Sequence, residues 1–409
     1  MSSQHLENYR DILLPLDNSP YSAIAEDAAV LLAQGMKTKI IGLHVYSGHF
    51  HRVRFNALEE FLPEKYQKEE LLEYQRNIHS VLIERGLEII SLEYMKRIRE
   101  SCHQHQIAFE ERLIDGKNAD VIIDHASSCD LIIMGAQGFG AVPGFSNLGS
   151  TTHRVLQHIE KDLLVMKKKN GFQNIFVCID GSNSSMQALQ RAIFFAQKFH
   201  SQLTILSSFD PKLHPVVFKS LVSVLSDEAG RVFKFKDQEQ LHTSVIDTSL
   251  EDLYKGYLAK GKQLAEQYGV ATQTELLYGK PYYSIYEKIK TVDADLLVVG
   301  RSGMHVGKFG SLGSNAERIA ELVPTNVLVV GMITKNMTES THNSSLQNNE
   351  INKTHGEKVI WDEEAKHRLE NIPSFARPMA VLAIERYAKE KGITVITPMV
   401  MQEARHRYE

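Results

Sequence analysis

The chain repeats itself, and no other feature limits its possible folds as tightly. "RDILLPLDNSPYSAIAEDAAVLLAQ" (10–34) aligns with "QNIFVCIDGSNSSMQALQRAIFFAQ" (173–197), which brings Asp17 onto Asp180, 163 residues later. "CDLIIMGAQGFGAVPGFSNLGSTTHRVLQHIEKDLLVMK" (129–167) aligns with "ADLLVVGRSGMHVGKFGSLGSNAERIAELVPTNVLVVG" (294–331), which brings Gly135 onto Gly300, 165 residues later. A near-constant offset means two copies of one domain of about 160 residues.

Within each copy the apolar period switches between strand and helix. "ILLPL" and "IFVCI" are short apolar runs, as expected of strands covered on both faces. A helical pattern follows, then a second strand, a variable stretch, and three more strands separated by helical segments. This alternation predicts right-handed β-α-β units on a parallel sheet, a doubly wound α/β fold in each copy. The copies are expected over 8–169 and 172–333. Ligands on such sheets sit beyond the carboxyl ends of the strands, at the switch point in strand order. The variable stretch of the first copy, 55–105, reads as one or two charged amphipathic helices, either closing the fold or presenting a lid or partner surface.

Residues 334–357 are polar and aperiodic, as expected of a flexible linker. Patterning resumes over 358–409 as three helical segments, a small all-α domain near the lower size limit for independent folding. Pro373 and Pro378 suit helix starts there and Gly392 a helix end.

With 409 residues and a net charge of −4, the chain has length for a substantial core but no basic field for nucleic acid or a membrane surface. Its first residues lack the basic head and apolar run of a signal peptide, and its apolar stretches are too short for a spanning helix, so a cytoplasmic location is expected. Cys102, Cys129 and Cys178 are too few and scattered for a disulfide frame or zinc module; Cys129 and Cys178, at or within strands, read as buried, unreactive thiols, and Cys102 is the best redox-sensor candidate of the three. His44, His49 and His51, and the Cys102–His105 stretch, have donor atoms at metal-like spacing but lack the paired recurrence of a zinc module, and no metal site is assigned.

The run "GRSGMHVGKFGSLGS" (300–314) leaves a strand and enters the helical segment "SNAERIAEL". It fits neither the Rossmann fingerprint nor the P-loop, whose Gly-Lys must be followed by Ser or Thr. Glycines let backbone amides approach an anion, and a helix N-terminus offers unpaired donors and a partial positive charge. A phosphate cradle and a set of structural turns are both consistent with this pattern.

The second copy resembles the nucleotide-binding branch of the universal stress protein family, whose loop is Gly-x2-Gly-x9-Gly-Ser/Thr. Gly300, Gly303, Gly313 and Ser314 fit it without a gap. "CIDGS" is similar to the family's first strand, whose aspartate contacts adenosine; Asp180 takes that place, flanked by Ile179, and Asn315 follows Ser314. The resemblance covers about 10–332. It implies five-stranded sheets of the adenine nucleotide alpha hydrolase type, binding of ATP or of ADP or AMP, and pairing of two such domains, with a homodimer as a further assembly; magnesium is the cation that a nucleotide would bring, but no obvious carboxylate pair stands beside the glycine loop to hold it. The first copy retains Asp17, Gly135, Gly138, Gly149 and Ser150, but ten residues separate Gly138 from Gly149, and Pro143 is among them. It is either a second nucleotide site or a degenerate copy kept for its interface. "WDEEAKHRLENIPSFARPMAVLAIERYAKEKGITVIT" resembles the small C-terminal domain of a light-independent protochlorophyllide reductase subunit. It has no cysteine to hold an iron–sulfur cluster, which implies a docking module for an unidentified partner.

No Ser-His-Asp set or positioned base stands near the loop, so slow ATP hydrolysis is the most catalysis expected. Three readings compete: a nucleotide-responsive regulator, a nucleotide-free scaffold, and an accessory to a redox or tetrapyrrole enzyme.

Overall fold

Each repeat opens on a short apolar strand and a serine-capped helix. The computed structural model, which describes residues 8–142, 147–211, 247–304, 312–331, 360–370 and parts of 381–408, places β1 at Asp11–Pro15 and β6 at Asn174–Cys178. Helix α1 (Pro20–Met36) follows the first and α6 (Asn183–Phe199) the second. Ser19 Oγ accepts from the Ser22 amide at 3.1 Å, and Ser182 Oγ from the Ser185 amide at 3.2 Å. Each bond satisfies a donor that the helix start would leave unpaired. Both helices stop at a left-handed residue, Lys37 (φ 55°) and His200 (φ 53°). The duplication therefore extends to the caps.

The first repeat continues through β2 (Lys39–Tyr46), α2 (Gly48–Leu58), α3 (Glu69–Gln104), β3 (Phe109–Asp115), α4 (Asn118–Ala126), β4 (Leu131–Gly135), α5 (Ser150–His158) and β5 (Asp162–Met166). The second continues through β7 (Gln202–Phe209), α7 (Asp247–Gln267), β8 (Thr272–Tyr278), α8 (Pro281–Thr291), β9 (Leu296–Gly300), α9 (Ser314–Leu322) and β10 (Asn326–Val330). The one or two helices expected over 55–105 form one long helix, α3, while α2 lies mostly before that stretch. Most of the corresponding stretch of the second repeat lies outside the described residues, as does Pro143.

These strands form one sheet in the order β3-β2-β1-β4-β5-β10-β9-β6-β7-β8. Pairing is parallel within each half, and the halves join where β5 and β10 run antiparallel, Val165 opposite Val327 and Leu164 opposite Leu328. Two sheet edges that would otherwise invite pairing with other chains thus close on each other. Gly331 permits the approach: a Cβ there would stand 1.9 Å from the Glu160 carbonyl oxygen. Alternate residues feed two cores. Ile12, Leu14, Val177 and Val298 pack under α1, α6 and α7, and Leu13, Phe176, Leu297 and Val329 under α4, α5, α8 and α9.

A buried polar cluster crosses the join. Asp162 of β5 accepts from the Tyr9 hydroxyl at 2.6 Å and the Gly331 amide at 2.8 Å, and pairs with Arg191 Nε of α6 at 3.1 Å. The Arg191 guanidinium stacks 4.5 Å from the Tyr9 ring centre. Burial raises the Asp162 carboxyl above its ordinary range, while Arg191 and the two donors oppose the rise.

The chain divides into two compact units, the repeats and the C-terminal segment. In the second unit β11 (Ile360–Trp361) pairs in parallel with β12 (Val395–Ile396), and α10 (Glu363–Glu370) and α11 (Pro398–Tyr408) flank this short pair. Ala365, Ile384, Ala388, Ile396 and Ala404 form its core. The segment is helical as expected, with a small strand pair in addition. The linker over 334–357, Pro373, Pro378 and Gly392 lie outside the described residues. No described helix is long and apolar enough to cross a membrane.

Candidate functional site

The strand order reverses between β1 and β4 in the first repeat and between β6 and β9 in the second. The loops leaving those strands therefore diverge and open a cleft at their carboxyl ends. Asp17 and Asp180 follow β1 and β6 by two residues; Gly135 and Gly300 end β4 and β9.

In the second repeat the loop glycines serve different ends. A Cβ on Gly300 would lie 2.7 Å from the carbonyl carbon and oxygen of Ser184, so this glycine lets the first turn of α6 press on β9. Gly135 plays the same part against Tyr21. Gly303 stands beside the Asp180 carboxylate, 3.0 Å from its Cβ position to Oδ2, and Gly313 packs on the backbone of Arg301, Ser302 and Gly303. Asp180, Gly303, Gly313 and the start of α9, with Ser314 and Asn315, are thus contiguous. Ile179 is buried behind them in the core.

The loop amides divide into committed and available donors. Arg301 N donates to the Val330 carbonyl at 3.0 Å, Ser302 N to Ser184 Oγ at 3.2 Å, and Gly313 N to the Arg301 carbonyl at 2.8 Å. These three cannot converge on an anion. Gly313 supplies no side-chain cap to α9, so the first-turn amides from Ser314 onward are the donors that a ligand would meet.

The two aspartates differ in what they already hold. Asp180 Oδ1 accepts from the Ser182 amide at 3.0 Å and hydroxyl at 2.6 Å. Among the described residues its Oδ2 accepts no hydrogen bond. Asp17 Oδ1 accepts from the Ser19 amide at 3.1 Å, but its Oδ2 is taken by the Phe139 amide of the first repeat's own loop at 3.0 Å. Gly138 lies closer to Asp17 than Gly303 does to Asp180, with 2.7 Å from its Cβ position to Oδ2. Gly149 N donates to the Ala136 carbonyl at 2.8 Å and precedes α5, which starts at Ser150 without a side-chain cap. The cleft bounded by Asp17, Gly135, Gly138, Thr152 and Asn118 holds about 120 Å³. Small-molecule pockets begin at about 300 Å³.

Two cations missed by motif reading tie these loops across the repeats. Arg301, 3% exposed, donates to the Leu156 carbonyl at 2.9 Å and the Gln157 carbonyl at 2.7 Å, the last turn of α5. Lys167 Nζ donates to the Ala320 and Val323 carbonyls at 2.6 and 2.7 Å, the end of α9. Positive charge at a helix C-terminus satisfies its free carbonyls and its dipole. Burial lowers the Lys167 ammonium to about 7, while the carbonyl acceptors match its donors and favour the charged form. Each helix that carries a candidate anion site is therefore capped by the other repeat. The only advance sign was an asymmetry: Arg301 occupies the position of Ala136.

Cys102 is corrected as a redox-sensor candidate. It is 1% exposed, and burial with the nearby Glu26 pushes its thiol up to about 11, away from a reactive thiolate. His44 is buried, with its Nδ1 2.6 Å from the Leu16 carbonyl oxygen.

Comparison with known proteins accords with this architecture. The universal stress protein family profile matches 8–167 and again 171–331, and a profile described as the proto-chlorophyllide reductase 57 kD subunit matches 361–405. Universal stress proteins of Staphylococcus saprophyticus and Staphylococcus epidermidis are 27% and 28% identical over 161 residues, 39% of this chain and 83% and 84% of theirs. The crystal structure of a universal stress protein from Archaeoglobus fulgidus covers 80% of this chain and 97% of its own, with a TM-score of 0.50 at 16% identity, a likeness of fold. With both repeats matched end to end, the chain belongs to the universal stress protein family.

Proposed function

We propose that the second repeat binds an adenine nucleotide, ATP or its di- or monophosphate with magnesium as companion, and acts as a ligand-responsive regulator in the cytoplasm. The observation that carries this reading is Asp180 Oδ2, which accepts no hydrogen bond among the described residues and is contiguous through Gly303 and Gly313 with the start of α9, which has no side-chain cap. An aspartate with one free oxygen suits ribose hydroxyls, and first-turn amides with Ser314 and Asn315 suit phosphate. The first repeat, whose Asp17 is filled by Phe139 and whose cleft is small, serves the interface. Occupancy would order the loop between Gly303 and Gly313, and the C-terminal helical segment or a protein partner would read the change.

Calorimetric titration of ATP, ADP and AMP tests the proposal. Wild-type chain should take up one nucleotide; Asp180→Asn and Gly313→Val should each weaken it by at least about tenfold, the worth of one charge-assisted bond, and Asp17→Asn should not. Absence of heat from wild type, or equal affinity in Gly313→Val, would overturn it.

A further inference from the structure

The first repeat carries an apolar stripe that its own fold leaves uncovered. Helix α3 spans 36 residues, and its buried positions from Ser91 on, namely Met95, Ile98 and Cys102, face the sheet. Helix α2 lies against another side of it, where Phe55 stacks on His79 at 4.2 Å and Arg76 pairs with Glu59 at 2.7 Å. A third side shows Leu71, Tyr74, Ile78, Val81, Leu82, Ile89 and Leu92, each 40% to 66% exposed. At about 100° per residue these seven fall within an arc of about 100°. The stripe runs about 30 Å along the helix and about 10 Å across, on the order of 300 Å², within the range of the largest apolar patch on a typical monomer, which often serves an interaction.

The spacing of the stripe identifies what it fits. Leu71, Tyr74, Ile78, Val81, Arg85, Glu88 and Leu92 alternate steps of three and four, the a and d positions of a heptad. Parallel pairing with the same helix would set Arg85 against Arg85 and Glu88 against Glu88, a repulsive arrangement. Antiparallel pairing about a two-fold axis between Val81 and Leu82 avoids both. It sets Leu71 on Leu92, Tyr74 on Ile89, Val81 on Leu82 and the stem of Arg85 along Ile78. It also brings the acidic start of α3, Glu69 and Glu70, within a turn of Lys96 on the other copy. Both signs of charge flank the stripe, with no lysine or arginine belt suited to an anionic bilayer. The β5 and β10 edges are already spent on each other inside one chain, so a second copy must use another surface.

We infer that α3 is a self-association surface, through which two chains pair as an antiparallel, two-fold helix dimer. Two such faces bury on the order of 600 Å² in total, below the roughly 1,200 Å² of standard interfaces, so the pair is a weak, transient one, with a dissociation constant of roughly 10 μM or above.

Sedimentation of the full chain between about 1 and 100 μM tests this, the range that brackets such a constant. Wild type should pass from one chain mass to two. Ile78→Glu with Leu82→Glu, both exposed and therefore neutral to folding, should stay at one chain mass with an unchanged circular dichroism spectrum. Under mild oxidation Leu82→Cys, at the two-fold axis, should cross-link to itself. Leu71→Cys should not, but should cross-link to Leu92→Cys in a mixture. A wild type monomeric throughout, a dimer indifferent to the double glutamate change, self-linking of Leu71→Cys, or a monomer that floats with phosphatidylglycerol vesicles would each overturn the inference.

Discussion

At Glu26 burial and charge are at odds. It is 6% exposed in α1, its Oε2 lies 3.5 Å from Arg97 Nη1, and that oxygen accepts no hydrogen bond among the described residues. Burial raises its carboxyl from 4.5 to about 7, with Arg97 opposing and Asp27 adding. The folded chain thus holds this proton more tightly than the unfolded chain. The resulting stabilisation is full below about pH 4.5 and is lost as pH rises through about 7. Glu26→Gln should therefore gain on the order of 2–3 kcal/mol relative to wild type at pH 8 and little at pH 4.5. Urea unfolding midpoints at the two pH values read this directly, and a gain independent of pH would refute it. Nothing in the sequence marked Glu26, because one acidic residue in an amphipathic helix looks the same whether its face meets water or another helix.

At the scale of elements, α5 and α9 hold the molecule's most telling contacts. Each starts at a glycine loop and ends on a cation from the other repeat. Gln157 and His153 of α5 also meet Glu317 of α9, at 2.8 and 3.0 Å. Arg301→Ala leaves the Leu156 and Gln157 carbonyls without their donor. This should cost about 2–6 kcal/mol at roughly 1–3 kcal/mol per buried unpaired group; Arg301→Lys should recover part of it. Chemical denaturation at neutral pH decides, and a loss below about 0.5 kcal/mol would show that water replaces the guanidinium. The strands, their order of appearance and the helices α1 and α6 were legible in the sequence, since period and cap residues are local. The division of labour among the glycines was not. Gly135 and Gly300 look like ligand-facing residues in the motif, yet each admits a helix that lies far away in sequence.

For the whole molecule, the antiparallel join makes the two repeats a single cooperative body. Asp162 with Tyr9, Arg191 and Gly331, the paired β5 and β10, and the crossed helix caps all span it. Residues 8–333 should therefore unfold in one calorimetric transition, although they contain two domain-length repeats. Asp162→Ala, which removes the shared acceptor of the Tyr9 hydroxyl and the Gly331 amide and one charge partner of Arg191, should lower stability by about 3–5 kcal/mol and keep the transition single. Two resolved transitions in wild type would mean that the repeats are energetically independent.

The sequence by itself determined the duplication, the α/β class, the positions of Asp180 and the glycine loop, and the separate C-terminal segment. These rest on periodicity, spacing and turn chemistry, which act over a few residues and repeat. Tertiary structure alone decided what each aspartate already accepts, which described loop amides are committed to the protein, and which repeat caps which helix. Those outcomes depend on groups about 120 to 160 residues apart meeting at angstrom distances, and residue identity does not encode such meetings until the sheet has closed.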